Sequence, residues 1–173
     1  MNQERQFLPL AICILTISDT RNEETDTSGK LLVNKASVSG HSVKEKRICP
    51  DDIYEIRVHV SEWIQDPVVN VVLTTGGTGV TGRDGTPEAV MPLFDKTLDG
   101  FGEMFRALSY NDIKTSTLQS RAVAGVANAT YLFCLPGSKG ACELAWDSLI
   151  SHQLDYRTRP CNLVELMPRL LEK

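Results

Sequence analysis

Few of the residue patterns that mark a metalloprotein or a secreted scaffold occur in this chain of 173 residues. Its three histidines, His41, His59 and His152, are scattered with no H-x-x-x-H spacing, which argues against a histidine–cysteine zinc site. The five cysteines are odd in number and include no C-x-x-C pair. Cys13, Cys134 and Cys142 lie in apolar runs and read as reduced core thiols, pointing to a cytoplasmic protein. Long hydrophobic runs are lacking too. The N-terminal apolar stretch covers only about eight residues between charged flanks, against the roughly 20 needed to span a bilayer. It has neither the basic start nor the small-residue cleavage site of a signal peptide. Excess positive charge is missing as well. The net charge is −4, so nothing favours nucleic acid or an anionic membrane, and any anion must be bound locally. There is no repeat, low-complexity stretch or linker, and the length suits one domain over residues 1–173.

What the sequence does contain is alternating strands and helices. Residues 10–17 form a continuous apolar run of buried-strand type, and 28–40 follow as a helix ending at Gly40. A weaker strand at 41–49 suits a sheet edge. Residues 51–65 place Ile53, Ile56, Val60 and Ile64 on one helical face. A second buried strand spans 68–74, helices cover 86–96 and 101–113, two strands broken near Asn128 fill 121–135, and a last helix covers 138–150. This order predicts an α/β fold with a mostly parallel sheet covered on both faces, its ligand site beyond the carboxyl ends of the strands.

One such end opens into a segment crowded with glycine and threonine, "TTGGTGVTGRDGTPEA", residues 74–89. Gly77-x-Gly79-x-x-Gly82 matches the dinucleotide fingerprint literally, but that motif needs its third glycine inside a helix, and Thr86-Pro87 mark a helix start further on. Gly77-x-x-x-x-Gly82 resembles a P-loop, yet Arg83-Asp84 stand where Lys and Ser/Thr are required. What remains is a turn whose successive amides can form an anion-binding nest, with Thr74, Thr75 and Thr78 adding hydroxyls.

These residues, together with "GFGEMFRALS", "LQSRAVAGV" and "LPGS" before a helix, resemble the MoaB/MogA family of molybdenum-cofactor biosynthesis, to which gephyrin contains a related domain. The likeness runs from about Leu10 to Ile150, and the C-terminal "QLDYRTRPCNLVELMP" resembles the MoaB branch. The resemblance implies a three-layer α/β sandwich assembled as a trimer or hexamer. It implies molybdopterin as the ligand, a pterin dithiolene with a terminal phosphate, and Mg²⁺-assisted transfer of AMP from ATP to that phosphate. Other molybdenum-cofactor biosynthesis proteins are then possible partners.

Carried over by position, Thr75, Gly76, Gly77, Thr78 and Gly79 match the family's phosphate-cradling turn. Ser18 and Asp19 fall at the first strand end, Asp26, Ser28 and Gly29 fit its Asp-x-Ser-Gly pattern, and Pro136, Gly137 and Ser138 fit its far-wall turn, with Lys139 replacing a common second proline. Asp51 and Asp84 match acidic residues that serve catalysis and hold Mg²⁺. Either could instead cap a helix. Asp52 with Glu55 fits a capping pair, and Thr86 is the expected cap of the helix after Asp84, so both carboxylates read as free.

Arg83 could offset phosphate charge, and Arg121 could meet the ligand or cap a helix. Glu103 and Arg106 read as a helix pair or subunit contact, and Trp63 and Trp146 as core or interface. Phe101, Met104, Phe105 and Leu108 read as an exposed stripe for a neighbouring subunit. The leading expectation is a molybdopterin adenylyltransferase. The alternatives are a molybdopterin carrier or scaffold without transfer, and a general nucleotide-binding protein.

Overall fold

A computed structural model describes residues 5–172. Six strands, β1 (Ala11–Ile17), β2 (Ser42–Cys49), β3 (Val71–Thr75), β4 (Lys96–Thr97), β5 (Val123–Ala127) and β6 (Thr130–Leu135), join one sheet in the order β2-β1-β3-β6-β5-β4. β2, β1, β3 and β6 run parallel; at one side β5 pairs antiparallel with β6, and β4 pairs antiparallel with β5. The helices are α1 (Thr27–Val38), α2 (Ile53–Gln65), α3 (Thr86–Val90), α4 (Asp99–Ile113), α5 (Lys139–Ala145), α6 (Ser151–Gln153) and α7 (Leu163–Leu166).

Period-two alternation divides the core between two layers. Ile12, Ile14, Val71 and Leu73 face α1, α4 and α5 through Leu32, Ala36, Phe105, Cys142 and Ala145. Cys13, Leu15, Ile17 and Val72 face α2 and α3 through Ile56, Val60, Trp63, Ala89 and Val90. The result is a three-layer α/β sandwich with a mostly parallel central sheet. Both tryptophans belong to this core, at 2% exposure for Trp63 and 1% for Trp146. β2 is an outer strand, in keeping with its half-buried sequence.

Several boundaries moved for local reasons. α1 ends at Val38 because Gly40 takes φ +91°, and the amides of Gly40 and His41 fold back to the carbonyls of Ser37 and Ala36. α3 is only five residues long and passes into a 3₁₀ turn at Met91–Leu93, where Pro92 cannot donate to an α-helical ladder. Asn128 and Ala129 both have positive φ and make a tight hairpin between β5 and β6. The last predicted helix is α5, followed by a π-helical turn at Trp146–Ile150 and then α6.

The expected exposed stripe on α4 is corrected here. Phe105 is 1% exposed, Phe101 and Leu108 pack on the core, and only Met104 of the four, at 56%, faces outward. Four free cysteines are buried and Cys161 is exposed. Among the described residues no helix is long and apolar enough to cross a membrane.

Topology places the site. From β1 the chain goes to β2 on one side and then crosses to β3 on the other, so the strand order reverses between β1 and β3. A crevice opens at such a reversal, outside the carboxyl ends of the strands.

Candidate functional site

A cleft of about 630 Å³ occupies that crevice. Ser18 and Asp19 after β1, Thr75 to Gly79 after β3 and Pro136 to Ser138 after β6 all line it, together with Ser28, Asp51 and Asp84. Asp26 and Gly29 do not line it. Asp26 is fully buried, caps α1 through Gly29 N–H at 2.8 Å, accepts from Thr16 Oγ1 at 2.8 Å and pairs with Lys46 Nζ at 2.9 Å. Burial alone would raise its pKa, but Lys46, the Gly29 amide and the Thr16 hydroxyl together hold it below the usual aspartate range. These two residues support the wall that Ser28 presents.

The glycine turn has an unusual hydrogen-bond arrangement. Gly76 and Gly77 adopt φ +113° and +62°. A Cβ on Gly76 would lie 2.1 Å from Ile17 O, and one on Gly77 would lie 2.4 Å from Thr86 Oγ1. Only glycine fits both the backbone and the space. The four carbonyls of Gly76–Gly79 are all taken by groups outside the cleft. Thr86 Oγ1 donates to Gly76 O at 2.8 Å and Thr86 N–H to Gly77 O at 3.0 Å. Arg121 N–H donates to Thr78 O at 3.0 Å and its Nε to Gly79 O at 2.6 Å. No backbone carbonyl among the described residues takes the N–H of Gly77 or Thr78. In a trans peptide the N–H opposes the preceding C=O, so carbonyls held outward leave amides on the other side.

The expected cap at Thr86 is a second correction. Thr86 is the first residue of α3, Gly85 occupies the cap position without a side-chain bond, and the Thr86 hydroxyl serves the turn instead. Asp52 does cap α2, accepting from Tyr54 N–H at 2.9 Å and Glu55 N–H at 3.0 Å. Asp51 is therefore left outside the helix, with its carboxylate beside Gly77.

The two carboxylates differ. Asp51 Oδ1 is buried and has no hydrogen-bond partner among the described residues, as does Ser28 Oγ across the cleft. Burial raises the Asp51 pKa; the Gly85 amide opposes this, and the negative charges of Asp84 and Asp19 reinforce it. Asp84 is committed locally. Its Oδ2 accepts from Thr81 N–H at 2.8 Å and Thr81 Oγ1 at 2.5 Å, closing the loop back on itself. The Thr81 hydroxyl holds its pKa low, with the Thr81 and Gly79 amides acting in the same direction against desolvation. Asp84 is thus less free than the capping argument implied.

Asp19 is also engaged. Arg83 grips it with Nε at 2.9 Å and Nη2 at 2.7 Å, and Asp51 N–H donates to it at 3.0 Å. Arg83 thereby spends its charge on Asp19 and lowers that carboxyl's pKa. Arg121 lies behind the glycine loop, bonded to Gly79 O, to Asp84 O at 2.8 Å and to the Glu88 carboxylate. Ser138 caps α5 by accepting from Ala141 N–H at 3.2 Å. Lys139, on the first turn of α5, is exposed and does not line the cleft.

Arg21 and the far wall were not foreseen from sequence. Arg21 lines the cleft, and its Nη1 donates to Thr25 O and Thr27 Oγ1, each at 3.0 Å. No lysine and no other arginine lines the cleft among the described residues. Phe105, Ser109 and Ile113 form the opposite wall at i, i+4 and i+8 on α4. That spacing was legible as a helical stripe, but it runs beside the one assigned to a subunit contact.

Chemically the cleft offers free amides and one guanidinium for an anion, and an acceptor-only buried oxygen at Asp51 that suits a cation or a donor. The partnerless Oδ1 is the feature that fits a divalent cation, since hard cations take carboxylate oxygens.

A family profile described as "Probable molybdopterin binding domain" matches residues 13–156. The chain is 56% identical over 157 residues to molybdenum cofactor biosynthesis protein B of Escherichia coli (strain K12), covering 91% of this chain and 92% of that one. A crystal structure of a molybdenum cofactor biosynthesis protein B superposes with a TM-score of 0.84 at 44% identity, covering 87% of this chain and 94% of that one. The tungsten cofactor synthesizing protein MoaB from Pyrococcus furiosus superposes at 0.74 with 38% identity, covering 83% and 92%.

Proposed function

The chain belongs to the family described as "Probable molybdopterin binding domain" and is a molybdenum-cofactor biosynthesis protein; from that premise we propose that its cleft binds molybdopterin and transfers AMP from ATP to the ligand's terminal phosphate. One observation carries the reading. The Gly76–Gly79 turn gives all four carbonyls to outside donors, leaves the Gly77 and Thr78 amides without a backbone partner among the described residues, and brings Gly77 against the carboxylate of Asp51, whose Oδ1 is partnerless there. A phosphate and a cation require those two kinds of group side by side.

In this reading the turn seats the molybdopterin phosphate, and Arg21 meets the nucleotide's phosphates. A phosphate oxygen of molybdopterin attacks the α-phosphorus of ATP. The bond from that phosphorus to the bridging oxygen breaks, and pyrophosphate departs with the electron pair. Asp51 and Asp84 would hold Mg²⁺, which when bound neutralises charge on the nucleotide phosphates. Ser28 Oγ, buried and without a partner, supplies one more polar contact on the wall. The five free cysteines fit a reducing compartment, so we place the protein in the cytoplasm. We also place it in a trimer or hexamer.

A second reading has one observation of its own. Asp84 commits its Oδ2 to two bonds from Thr81, which leaves it less free than Asp51 to hold a metal. That favours a carrier or scaffold that holds molybdopterin without transfer. Purified protein incubated with molybdopterin, ATP and Mg²⁺ decides between them. Formation of AMP-molybdopterin with equimolar pyrophosphate supports the transferase. Tight molybdopterin binding with no pyrophosphate hands the case to the carrier, and no molybdopterin binding removes both.

A further inference from the structure

Arg121 forms three hydrogen bonds to the loop that carries Gly79 and Asp84, although no part of it lines the cleft. Its backbone N–H meets Thr78 O, its Nε meets Gly79 O and its Nη2 meets Asp84 O. Nη1 pairs with Glu88, which sits on the exposed side of α3 and fixes the guanidinium plane. Each carbonyl held from behind sets the direction of the amide that follows it, because the peptide is trans. Thr78 O thus governs the Gly79 amide, on a residue packed against the Asp84 carboxylate, and Asp84 O governs the Gly85 amide, which acts to lower the Asp51 pKa.

We propose that the Arg121 side chain is a positioning group that holds the anion-binding turn and the Asp84–Gly85 peptide in place through the carbonyls of Gly79 and Asp84, without touching ligand. The inference rests on the reading of the Gly76–Gly79 turn as a phosphate seat. Its planar fork matters more than its charge. One ammonium cannot span carbonyls of Gly79 and Asp84 while pairing with Glu88, so lysine is a poor substitute. Thr86 is the complementary clamp on Gly76 and Gly77, but it belongs to the buried start of α3, whereas the Arg121 side chain is 32% exposed and can be removed without opening the core.

The test has a ligand-free arm and a ligand arm. In ligand-free protein, amide exchange at Gly85, whose peptide carbonyl the side chain holds, is compared between the parent, Arg121→Ala and Arg121→Lys, with Gly79, whose peptide is held by the backbone N–H, as the internal reference. Exchange at Gly85 accelerates in both variants and is slowed again in Arg121→Ala by added guanidinium. In the ligand arm, molybdopterin affinity falls by about 10–100-fold, the range for loss of a supporting group behind a binding site. Guanidinium restores it in Arg121→Ala and leaves Gly77→Ala unrescued. Should Arg121→Ala fail to fold, Arg121→Lys carries both arms. A folded variant with parental exchange at Gly85 overturns the proposal, as does weakened binding that guanidinium cannot restore. If the parent itself binds no molybdopterin, the functional reading falls, while the exchange arm still decides the positioning role.

Discussion

Gly77→Ala tests the turn most directly, because the structure supplies both the cost and the control. At φ +62° an alanine pays for the left-handed region by about 1–2 kcal/mol. Its Cβ would also fall 2.4 Å from Thr86 Oγ1 and 2.9 Å from Asp51 Oδ1. The threonine hydroxyl must move, which breaks its 2.8 Å bond to the buried Gly76 carbonyl. An acceptor left unsatisfied there adds about 1–3 kcal/mol. Together the variant loses about 2–5 kcal/mol, and at about 2–4 °C per kcal/mol for a chain of this length its melting temperature falls by about 4–20 °C. Gly82→Ala is the matched control in the same loop. No heavy atom lies within 4 Å of its added Cβ and its φ is not left-handed, so it should stay within about 0.5 kcal/mol of the parent. Thermal denaturation read by circular dichroism, with molybdopterin titration of the folded protein, measures both effects. A Gly77→Ala protein that melts with the parent and binds as tightly would refute the argument, and equal losses in the two variants would refute its locality.

Asp51→Asn and Asp84→Asn should leave molybdopterin bound but slow adenylyl transfer, by about 10²–10³ where the carboxylate stabilises transition-state charge; the larger loss should fall on Asp51, and pyrophosphate release measures it. Asp26→Asn should cost about 1.5–3 kcal/mol, the worth of a hydrogen bond to a charged group, because Lys46 loses its buried partner but keeps Glu23. The pH dependence has a definite sign: a carboxyl held below its ordinary range stabilises fully above that range and loses the contribution as pH falls towards its folded-state value. The parent's acid limb in a pH–melting-temperature series should therefore be steeper than that of Asp26→Asn, and parallel limbs would count against the buried pair. Light scattering at micromolar concentration should report a trimer or hexamer, and a monomer would contradict the assembly reading.

Particular residues show why some of this was legible in the chain and some was not. Residues 12–15 alternate strictly between two faces in the structure, yet all four are apolar, so sequence reading could only call the strand buried on both sides. Gly40 at φ +91° and Asp52 at the start of α2 act through bonds spanning a few residues, and both were readable for that reason. Pro92 should have shortened the predicted 86–96 helix, and the missed signal was simply its absent amide. The α4 stripe was detected but placed one register away: Phe105 turned inward to the cleft wall and left Met104 outside.

The chain by itself determined the alternating α/β order, the glycine turn after a buried strand, and the position of Asp51 one residue outside a capped helix, since each depends on local backbone preference or burial periodicity. Tertiary structure alone decided which polar groups remain free. Asp19 is gripped by Arg83 across 64 residues, and Arg121 reaches Gly79 across 42. Such partners meet only because the sheet order brings the carboxyl ends of β1, β3 and β6 together, and a hydrogen bond forms only where that topology leaves donor and acceptor within about 3 Å.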